Sequence, residues 1–370
     1  MTLPNYLSFA LNFLRFFGIP LQTPQTSKRT KIFIRICTIF ALIAIPICGV
    51  LTFIAVTARY FNEILVYVQL LIIFFTAYII VLEVVLTKAE QLRFWGFIKK
   101  IEELYLDGSL NLDLKYKKFS RYQIRRIVGM FIFTIAIYVF VVSVSRFFED
   151  TENMATNWTV TWLFYYYAVL VARIRHHSHI LVIQILKMHV EFFNEDLERM
   201  GKILKLSINK DVAKELDVIK FRHAYLWEAI TSANKCHRWS QLFNIAEDLY
   251  MFIQSLYWTY ICLKTNNFFS ACKCLIFALP SICDIFHLCY SCEKLHDEAD
   301  KSGSILLKFL KYRNDSISLF TKNCIVELTL QMHHEKIRIA VGRIFTLNMA
   351  FLTVISGTLV TYLVILIQFL

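Results

Sequence analysis

The residues whose types and spacing could do chemistry are concentrated in the charge-free stretch from Asn348 to Leu370. It carries a hydrophilic set inside an otherwise apolar run: Ser356, Thr358, Thr361, Tyr362 and Gln368. Steps of four and three residues place one row on a single helical face: Val354, Thr358, Thr361, Ile365 and Gln368, with Phe369 beside it. Such a row either makes hydrogen bonds between neighbouring membrane helices, its commoner role, or forms the wall of a pore.

A second group of candidate residues consists of charges placed next to apolar segments. The bases follow a short apolar run: Arg173, Arg175, His176, His177 and His179. We expect them to anchor the inner membrane face, with long side chains that reach water. Four acids are expected to pair with these bases inside the bundle: Glu83, Glu247, Asp248 and Asp284. A proton relay is less supported because no matching ladder of acids is present.

Enzyme chemistry has little support in this sequence. It contains no glycine-rich phosphate loop, no HExxH and no GxSxG. The pair Cys289 and Cys292 has metal-like spacing, but no second pair follows it, and Asp284 with His287 is better explained as a structural pair. We therefore expect no catalytic residue, no metal site and no cofactor.

The composition is that of helices in a bilayer. Of 370 residues, 57% are hydrophobic and only 18% are charged, whereas a soluble domain carries about 25% charged residues. Seven runs are long and apolar enough to be membrane spans, since about 20 apolar residues cross the hydrocarbon core. They are 32–56, 64–86, 127–144, 158–172, 245–263, 268–290 and 344–370.

The net charge of +12 is a signal of topology rather than of nucleic-acid binding. The segments 1–31, 88–126, 187–241 and 292–346 hold 33 Lys and Arg residues, and the alternate loops hold two. Basic flanks stay in the cytosol, which places the N-terminus inside and, with seven spans, the C-terminus outside. Some attraction to anionic membrane lipid is also expected.

The fold class predicted is therefore an all-α membrane protein whose later helices extend into a cytosolic bundle. Residues 1–31 would be a cytosolic segment with a short interfacial helix, and 32–291 would hold spans one to six with helical loops. Residues 292–346 would form a cytosolic anchor segment, and 347–370 the seventh span. Apolar residues at helical spacing support the inner helices, in one stripe of Phe193, Leu197, Met200 and Leu204 and another of Ile325, Leu328, Met332 and Ile339. The sequon at Asn157 lies in an outer loop and is the one available for glycosylation; that at Asn314 lies inside.

The end of the chain carries a resemblance to a known family. Residues 361–369, TYLVILIQF, resemble the TYhhhhhQF signature (h, hydrophobic) that closes insect gustatory receptors, and Gly357, the length and the architecture agree. The resemblance implies a tetrameric, ligand-gated, non-selective cation channel with the last helix around a central pore. Its pore-lining residues would be Thr358, Thr361, Ile365, Gln368 and Phe369.

The resemblance also implies a ligand pocket in the outer half of each subunit. With the topology above, this half holds Tyr67, Gln69, Trp162, Tyr165, Tyr166, Gln254, Tyr257 and Trp258. The alternative for these side chains is an interfacial aromatic belt. Sugar-sensing members have Glu after the motif's Tyr, whereas this chain has Leu363, so a bitter or unassigned tastant is favoured over a sugar.

The partners expected are a small tastant, permeating monovalent and divalent cations, membrane lipid, and either identical subunits or related receptors; nucleic acid is not expected. The resemblance places the protein in the plasma membrane of sensory dendrites. A G-protein-coupled receptor has the opposite orientation, and a secondary transporter requires charges or helix breaks at mid-membrane. These two classes remain the alternatives.

Overall fold

The computed structural model describes residues 2–17, 23–24, 26–57, 64–105, 112–148, 156–205, 212–311, 319–342 and 344–368. These described residues form twelve helices and one two-stranded antiparallel sheet. The helices are α1 (Leu3–Tyr6), α2 (Ser8–Phe16), α3 (Lys28–Thr57), α4 (Ile64–Leu86), α5 (Lys88–Tyr105), α6 (Leu112–Phe148), α7 (Thr156–Lys205), α8 (Val212–Cys236), α9 (Arg238–Lys264), α10 (Phe268–Lys311), α11 (Leu319–His334) and α12 (Met349–Gln368). The strands are β1 (Ala340–Val341) and β2 (Phe345–Thr346).

Four helices of the described residues are long and apolar enough to cross a membrane. The qualifying segments are Lys28–Ile54, Ile64–Leu86, Leu112–Ser143 and Phe268–Phe309. The predicted segments 158–172 and 245–263 lie within α7 and α9. These two helices are less apolar because they carry most of the buried polar side chains described below.

Two helices are far longer than the apolar segments predicted within them. Helix α7 has 50 residues and α10 has 44, so at 1.5 Å per residue they reach about 75 and 66 Å. Helices α8 and α9 follow each other with only His237 between them. The stripe from Phe193 to Leu204 is buried within the chain, which explains its apolar spacing.

The predicted last span and the second stripe need correction at residues 335–348. Helix α11 ends at His334, so Ile339 is not part of a helical stripe. It precedes a tight hairpin in which Ala340 faces Thr346, and its N–H donates to Nε2 of His296 at 3.0 Å. The turn needs a left-handed residue, which Gly342 supplies with φ of 60°. The last helix then begins at Met349 rather than at 344, with Oδ1 of Asn348 accepting the N–H of Phe351 at 2.9 Å.

The N-terminal helices pack one apolar face against the protein. The side chains of Leu7, Leu11 and Leu14 on this face are fully buried. The ring of Phe13 lies 5.0 Å from that of Phe131 on α6, and the N–H of Leu3 donates to Oε1 of Glu102 on α5 at 3.0 Å. Phe9 and Phe16 are exposed, so the predicted interfacial position of this segment stays a prediction.

Candidate functional site

Helix α12 lies on the outside of the single chain. Residues on most of its faces are exposed, among them Val354 (68%) and Val360 (62%), and one side contacts α9 and α10. Its hydroxyls bond to their own helix: Oγ1 of Thr358 donates to the carbonyl of Val354, and Oγ1 of Thr361 donates to that of Gly357, each at 3.0 Å. The row therefore makes no recorded hydrogen bond to another helix within the described chain.

The polar row on α12 is exposed along its length. Thr358, Thr361, Ile365 and Gln368 are all exposed, and helical spacing keeps them on one side. Phe369, the remaining residue predicted for the pore, lies outside the described residues. An exposed apolar helix with a hydroxyl and amide row is suited to contact both neighbouring subunits and water.

A second site lies between α4, α7 and α9, where three of the residues predicted to bind ligand are joined by hydrogen bonds. The Nε2 of Gln69 donates to the hydroxyl of Tyr165 at 2.7 Å, and Nε2 of Gln254 donates to Oε1 of Gln69 at 2.8 Å. Met251, which the sequence reasoning missed, places its sulfur 3.3 Å from Nε2 of Gln69. Met251 lies three residues before Gln254 on α9, so helical spacing places the two side chains on one face and could have identified Met251 as a candidate.

Aromatic rings extend this site toward α6 and α10. The ring of Trp162 lies 5.4 Å from Tyr165 and 5.5 Å from Tyr166, the latter in a stacked arrangement. Tyr166 stacks on Tyr138 of α6 at 5.0 Å, and Tyr138 contacts Phe277 of α10 at 5.5 Å. Tyr138 and Phe277 were not among the predicted ligand-binding residues, because the hydropathy of their segments indicates a membrane span but not which side chains face the cluster.

The other predicted site residues make separate contacts. Tyr67 packs its ring 5.3 Å from Phe53 of α3. The rings of Tyr257 and Trp258 lie 5.5 Å from each other. Asn157 lies in the first turn of α7, and its side chain lies outside what the structure describes. The cluster of Gln69, Trp162, Tyr165, Tyr166 and Gln254, with Tyr138, Met251 and Phe277, is called the aromatic cluster below.

Beneath the aromatic cluster lies a buried ionic network centred on Arg173 of α7. Its guanidinium donates to Asp248 of α9 through Nη1 and to Oγ of Ser281 on α10 through Nη2, the latter at 2.6 Å. Nη1 also lies 3.3 Å from Asp284 of α10, and Nε2 of His176 lies 2.8 Å from Oδ2 of Asp248. This arrangement confirms the predicted pairing for Asp248 and Asp284, whereas Glu247, which was also predicted to pair, has no ion-pair contact.

The predicted role of these bases as anchors that reach water is wrong. Arg173 is 2% exposed and Arg175 is fully buried, as are the three nearby histidines His176, His177 and His179. Their charges are met by acids on facing helices, which removes the need to extend toward water. His179 instead stacks on His237 at 4.3 Å and bonds to Gln241 at 3.0 Å.

Arg175 forms a second network with Glu83 of α4. Nη2 of Arg175 lies 3.2 Å from Oε2 of Glu83, and Nε donates to Oγ of Ser240 at 2.9 Å. The two oxygens of Glu83 also accept the N–H groups of Trp239 (2.5 Å) and Ser240 (3.0 Å). Glu83 thus caps the N-terminus of α9, whose own N-cap residue His237 makes no side-chain cap bond.

Titratable groups in the inner helical extensions are shifted by burial. Desolvation lowers the pKa of His189 to about 3, because its ring is enclosed by Tyr116 and Phe192. Desolvation lowers the pKa of His223 to about 4, and Glu335 opposes this shift. Burial raises the pKa of Glu102, with the N–H of Leu3 as the main opposing contact. These groups make hydrophobic contacts or structural hydrogen bonds.

No group of three or more His, Cys, Asp and Glu residues suited to a metal ion occurs among the described residues. The ten cysteines, all within the described ranges, are free thiols. The candidate sites are thus an exposed polar row on α12 and an aromatic cluster that lies next to a buried charged network.

Long apolar helices joined by short connections define a multi-pass helical membrane protein. The model of the 7tm Chemosensory receptor family matches residues 7–369 of the chain, and the chain therefore belongs to this family of chemosensory receptors, which is not an enzyme class. No curated protein matches the sequence.

Solved structures show that the fold is that of an insect olfactory receptor. The insect olfactory receptor OR5 from Machilis hrabei is 12% identical, with a TM-score of 0.70 over 100% of this chain and 99% of that chain. The same receptor in complex with eugenol is 14% identical, with a TM-score of 0.65 over 100% and 99%.

Proposed function

We propose that this chain is a gustatory receptor that acts as a ligand-gated, non-selective cation channel. The observation that carries the proposal is α12, which has no charge and yet exposes Thr358, Thr361 and Gln368 in one row. Because these threonine hydroxyls donate to carbonyls of their own helix, they can lie against apolar side chains or against water in a pore. A pore lining that alternates polar and apolar rings requires both environments. Ile365 and Gln368, with Phe369, are the residues proposed for the constriction.

The proposal includes seven spans with a cytosolic N-terminus and an extracellular C-terminus. Helices α3, α4, α6, α7, α9, α10 and α12 would be the spans, and the distribution of 33 basic residues against two supports this orientation. The protein would lie in the plasma membrane, in sensory dendrites. The aromatic cluster then lies in the outer half and the inner extensions of α7 and α10 lie in the cytosol.

Four subunits, identical or related, would surround the pore. As a membrane span, α12 would place its exposed apolar faces against lipid and neighbouring subunits, and its polar row would face the shared pore. Residues 292–346 would form the cytosolic anchor that joins subunits. The resting pore would be closed by the apolar rings, and ligand binding would move α9 and α10, which touch α12.

The ligand proposed is a small tastant, bitter or unassigned rather than a sugar, since Leu363 stands where sugar-sensing receptors have Glu. The aromatic cluster supports this choice because it combines apolar rings with two amides that fix orientation. The related fold of OR5, solved in complex with eugenol, supports binding of a small molecule.

The test is whole-cell current in cells expressing this chain, with G-protein signalling blocked, during a screen of bitter compounds, sugars and aromatic odorants. A prompt current carried by Na⁺, K⁺ and Ca²⁺ is the expected result. A response that disappears under the block would instead indicate a G-protein-coupled receptor. In a parallel experiment the chain is co-expressed with related receptors, so that a heteromer can form. The absence of any ligand-evoked current in both experiments, with the protein present at the cell surface, would contradict the proposed channel function.

A further inference from the structure

The network around Arg173 leaves one of its acids without an ion-pair contact, because His176 and His177 also face Asp248 and Asp284. Three carboxylates, Glu247, Asp248 and Asp284, lie about one guanidinium, and each is at most 1% exposed. Asp248 and Asp284 both contact Nη1 of Arg173, and Nη2 is used by Ser281. Arg175 is already matched with Glu83. Glu247 is therefore the carboxylate left over.

The carboxylate of Glu247 is poorly satisfied by hydrogen bonds. The hydroxyl of Thr76 on α4 lies beside it as a donor, but neither carboxylate oxygen has a partner at full hydrogen-bond geometry within the described part of the chain, and Arg173 and Asp248 lie nearby. A buried carboxylate that lacks well-formed hydrogen bonds is costly in an apolar medium. Such a group either stays protonated or is matched by a cation that enters the bundle.

Glu247 lies directly below the aromatic cluster. Residues 247, 251 and 254 share one face of α9, and Met251 and Gln254 are the two α9 side chains that contact Gln69. One helical turn, about 5.4 Å, separates Glu247 from Met251 along the axis.

We propose that Glu247 is the counter-ion for the ammonium group of a ligand whose apolar body lies in the aromatic cluster. This inference rests on the proposed ligand-binding function and narrows it to protonated amines. Aromatic rings such as that of Tyr165 attract organic cations in a dry site. A metal ion fits less well because the described residues offer no cluster of three metal ligands here.

The experiment compares three amines with the alcohols of the same skeletons: tryptamine with tryptophol, tyramine with tyrosol, and 2-phenylethylamine with 2-phenylethanol. The purified full chain is titrated with each, and the rise in melting temperature with concentration gives the Kd. In the wild-type chain at least one amine should bind roughly tenfold more tightly than its alcohol, as a charge-assisted hydrogen bond provides.

The Glu247→Gln variant should lose this preference, with amine and alcohol within about twofold of each other. Its melting temperature without ligand should equal or exceed that of the wild-type chain, because an unpaired buried charge has been removed. The matched control is Glu327→Gln, which alters an exposed acid paired with Lys220 and should keep the preference.

Three results would overturn the assignment of Glu247. One is equal or absent binding of amines and alcohols by the wild-type chain, and another is an amine preference that survives Glu247→Gln. The third is a lower melting temperature of unliganded Glu247→Gln, which would give the carboxylate a structural role. Current recordings distinguish failure of this inference from failure of the proposed channel function. An amine that binds but evokes no current contradicts the channel function alone. A ligand-evoked current without any preference for amines contradicts the role of Glu247 alone.

Discussion

At the scale of single residues, the ion pair of Arg175 and Glu83 shows why buried charge does not by itself mark a functional site. Glu83 caps α9 from another helix, and Arg175 compensates its charge while reaching the carbonyl of Cys236. The pair thereby fixes α4, α7 and α9 against one another. Its role is structural, in contrast to that of Glu247.

Replacing Glu83 by Ala should destabilise the chain by about 3 to 5 kcal/mol, because it leaves Arg175 buried and unpaired and removes the cap of α9. Thermal unfolding of the purified chain is the measurement. The control, Glu103→Ala, removes an exposed acid 3.5 Å from Lys99 and should cost less than about 1 kcal/mol. Equal effects of the two substitutions would contradict the capping role.

The stability should also depend on pH through His189. Its pKa is about 3 in the folded chain and about 6.5 when unfolded, so below pH 6.5 the unfolded state takes up a proton that the folded state does not. The contribution of His189 to the free energy of unfolding is fully present above pH 6.5 and is lost as the pH falls toward 3. Between pH 7.4 and 5.5 the loss is about 1 kcal/mol.

Unfolding measured at pH 7.4 and 5.5 should show a smaller loss in His189→Leu than in the wild-type chain. His334→Leu, at an exposed position at the end of α11, is the matched control and should keep the wild-type loss. If His189→Leu loses as much stability on acidification as the wild-type chain, the ring is not held neutral by burial.

At the scale of helices, two glycines provide a test of how closely α7 and α10 approach. A Cβ on Gly201 of α7 would lie 2.5 Å from Cε1 of Phe309 on α10, whereas a Cβ on Gly303 of α10 meets nothing within 4 Å. Gly201 thus permits the close packing of the two longest described helices.

Gly303→Ala should stabilise the chain by about 0.5 to 1 kcal/mol through helix propensity alone. Gly201→Ala should destabilise it, since overpacking costs about 1 to 3 kcal/mol and exceeds that gain. Unfolding of the two variants side by side checks both signs. A stabilising Gly201→Ala would mean that Phe309 moves aside freely.

The sequence could predict helices better than it could predict what covers them. The stripe from Phe193 to Leu204 repeats at helical spacing over many turns, so α7 was predicted well beyond its span. The hairpin was missed because β1 and β2 have two residues each and carry no periodic signal. The face of Leu7, Leu11 and Leu14 is apolar in either environment, so its pattern did not distinguish α6 from lipid.

The candidate sites were predictable to a similar extent. Gln69 and Gln254 stand out because amides are rare in apolar runs, and the structure joins them. Tyr138 and Met251 belong to the same cluster but look ordinary in the sequence, since only tertiary packing brings them to Tyr165 and Gln69. The pairing of Arg173 with Asp248 and Asp284 was predicted, but the sequence pattern did not show that the guanidinium would be fully buried.

At the scale of the whole molecule, the proposed orientation can be tested with cysteines already present. Cys272 is exposed near the start of α10, at the proposed outer face, and Cys324 lies on α11, at the proposed inner face. A membrane-impermeant maleimide applied to intact cells should label the wild-type chain and not Cys272→Ser. Labelling of Cys324, read by mass spectrometry, should require permeabilised cells; the reverse pattern would invert the topology.

The central claim is that α12 lines the pore of a ligand-gated channel, and single-channel recording of the purified chain in a planar bilayer tests it most directly. A new carboxylate at an exposed pore position concentrates cations, so Gln368→Glu should raise the cation conductance and shift the reversal potential in a salt gradient. Glu327→Gln, on α11, should leave both unchanged. Openings whose conductance and selectivity are the same in Gln368→Glu and in the wild-type chain would contradict the claim.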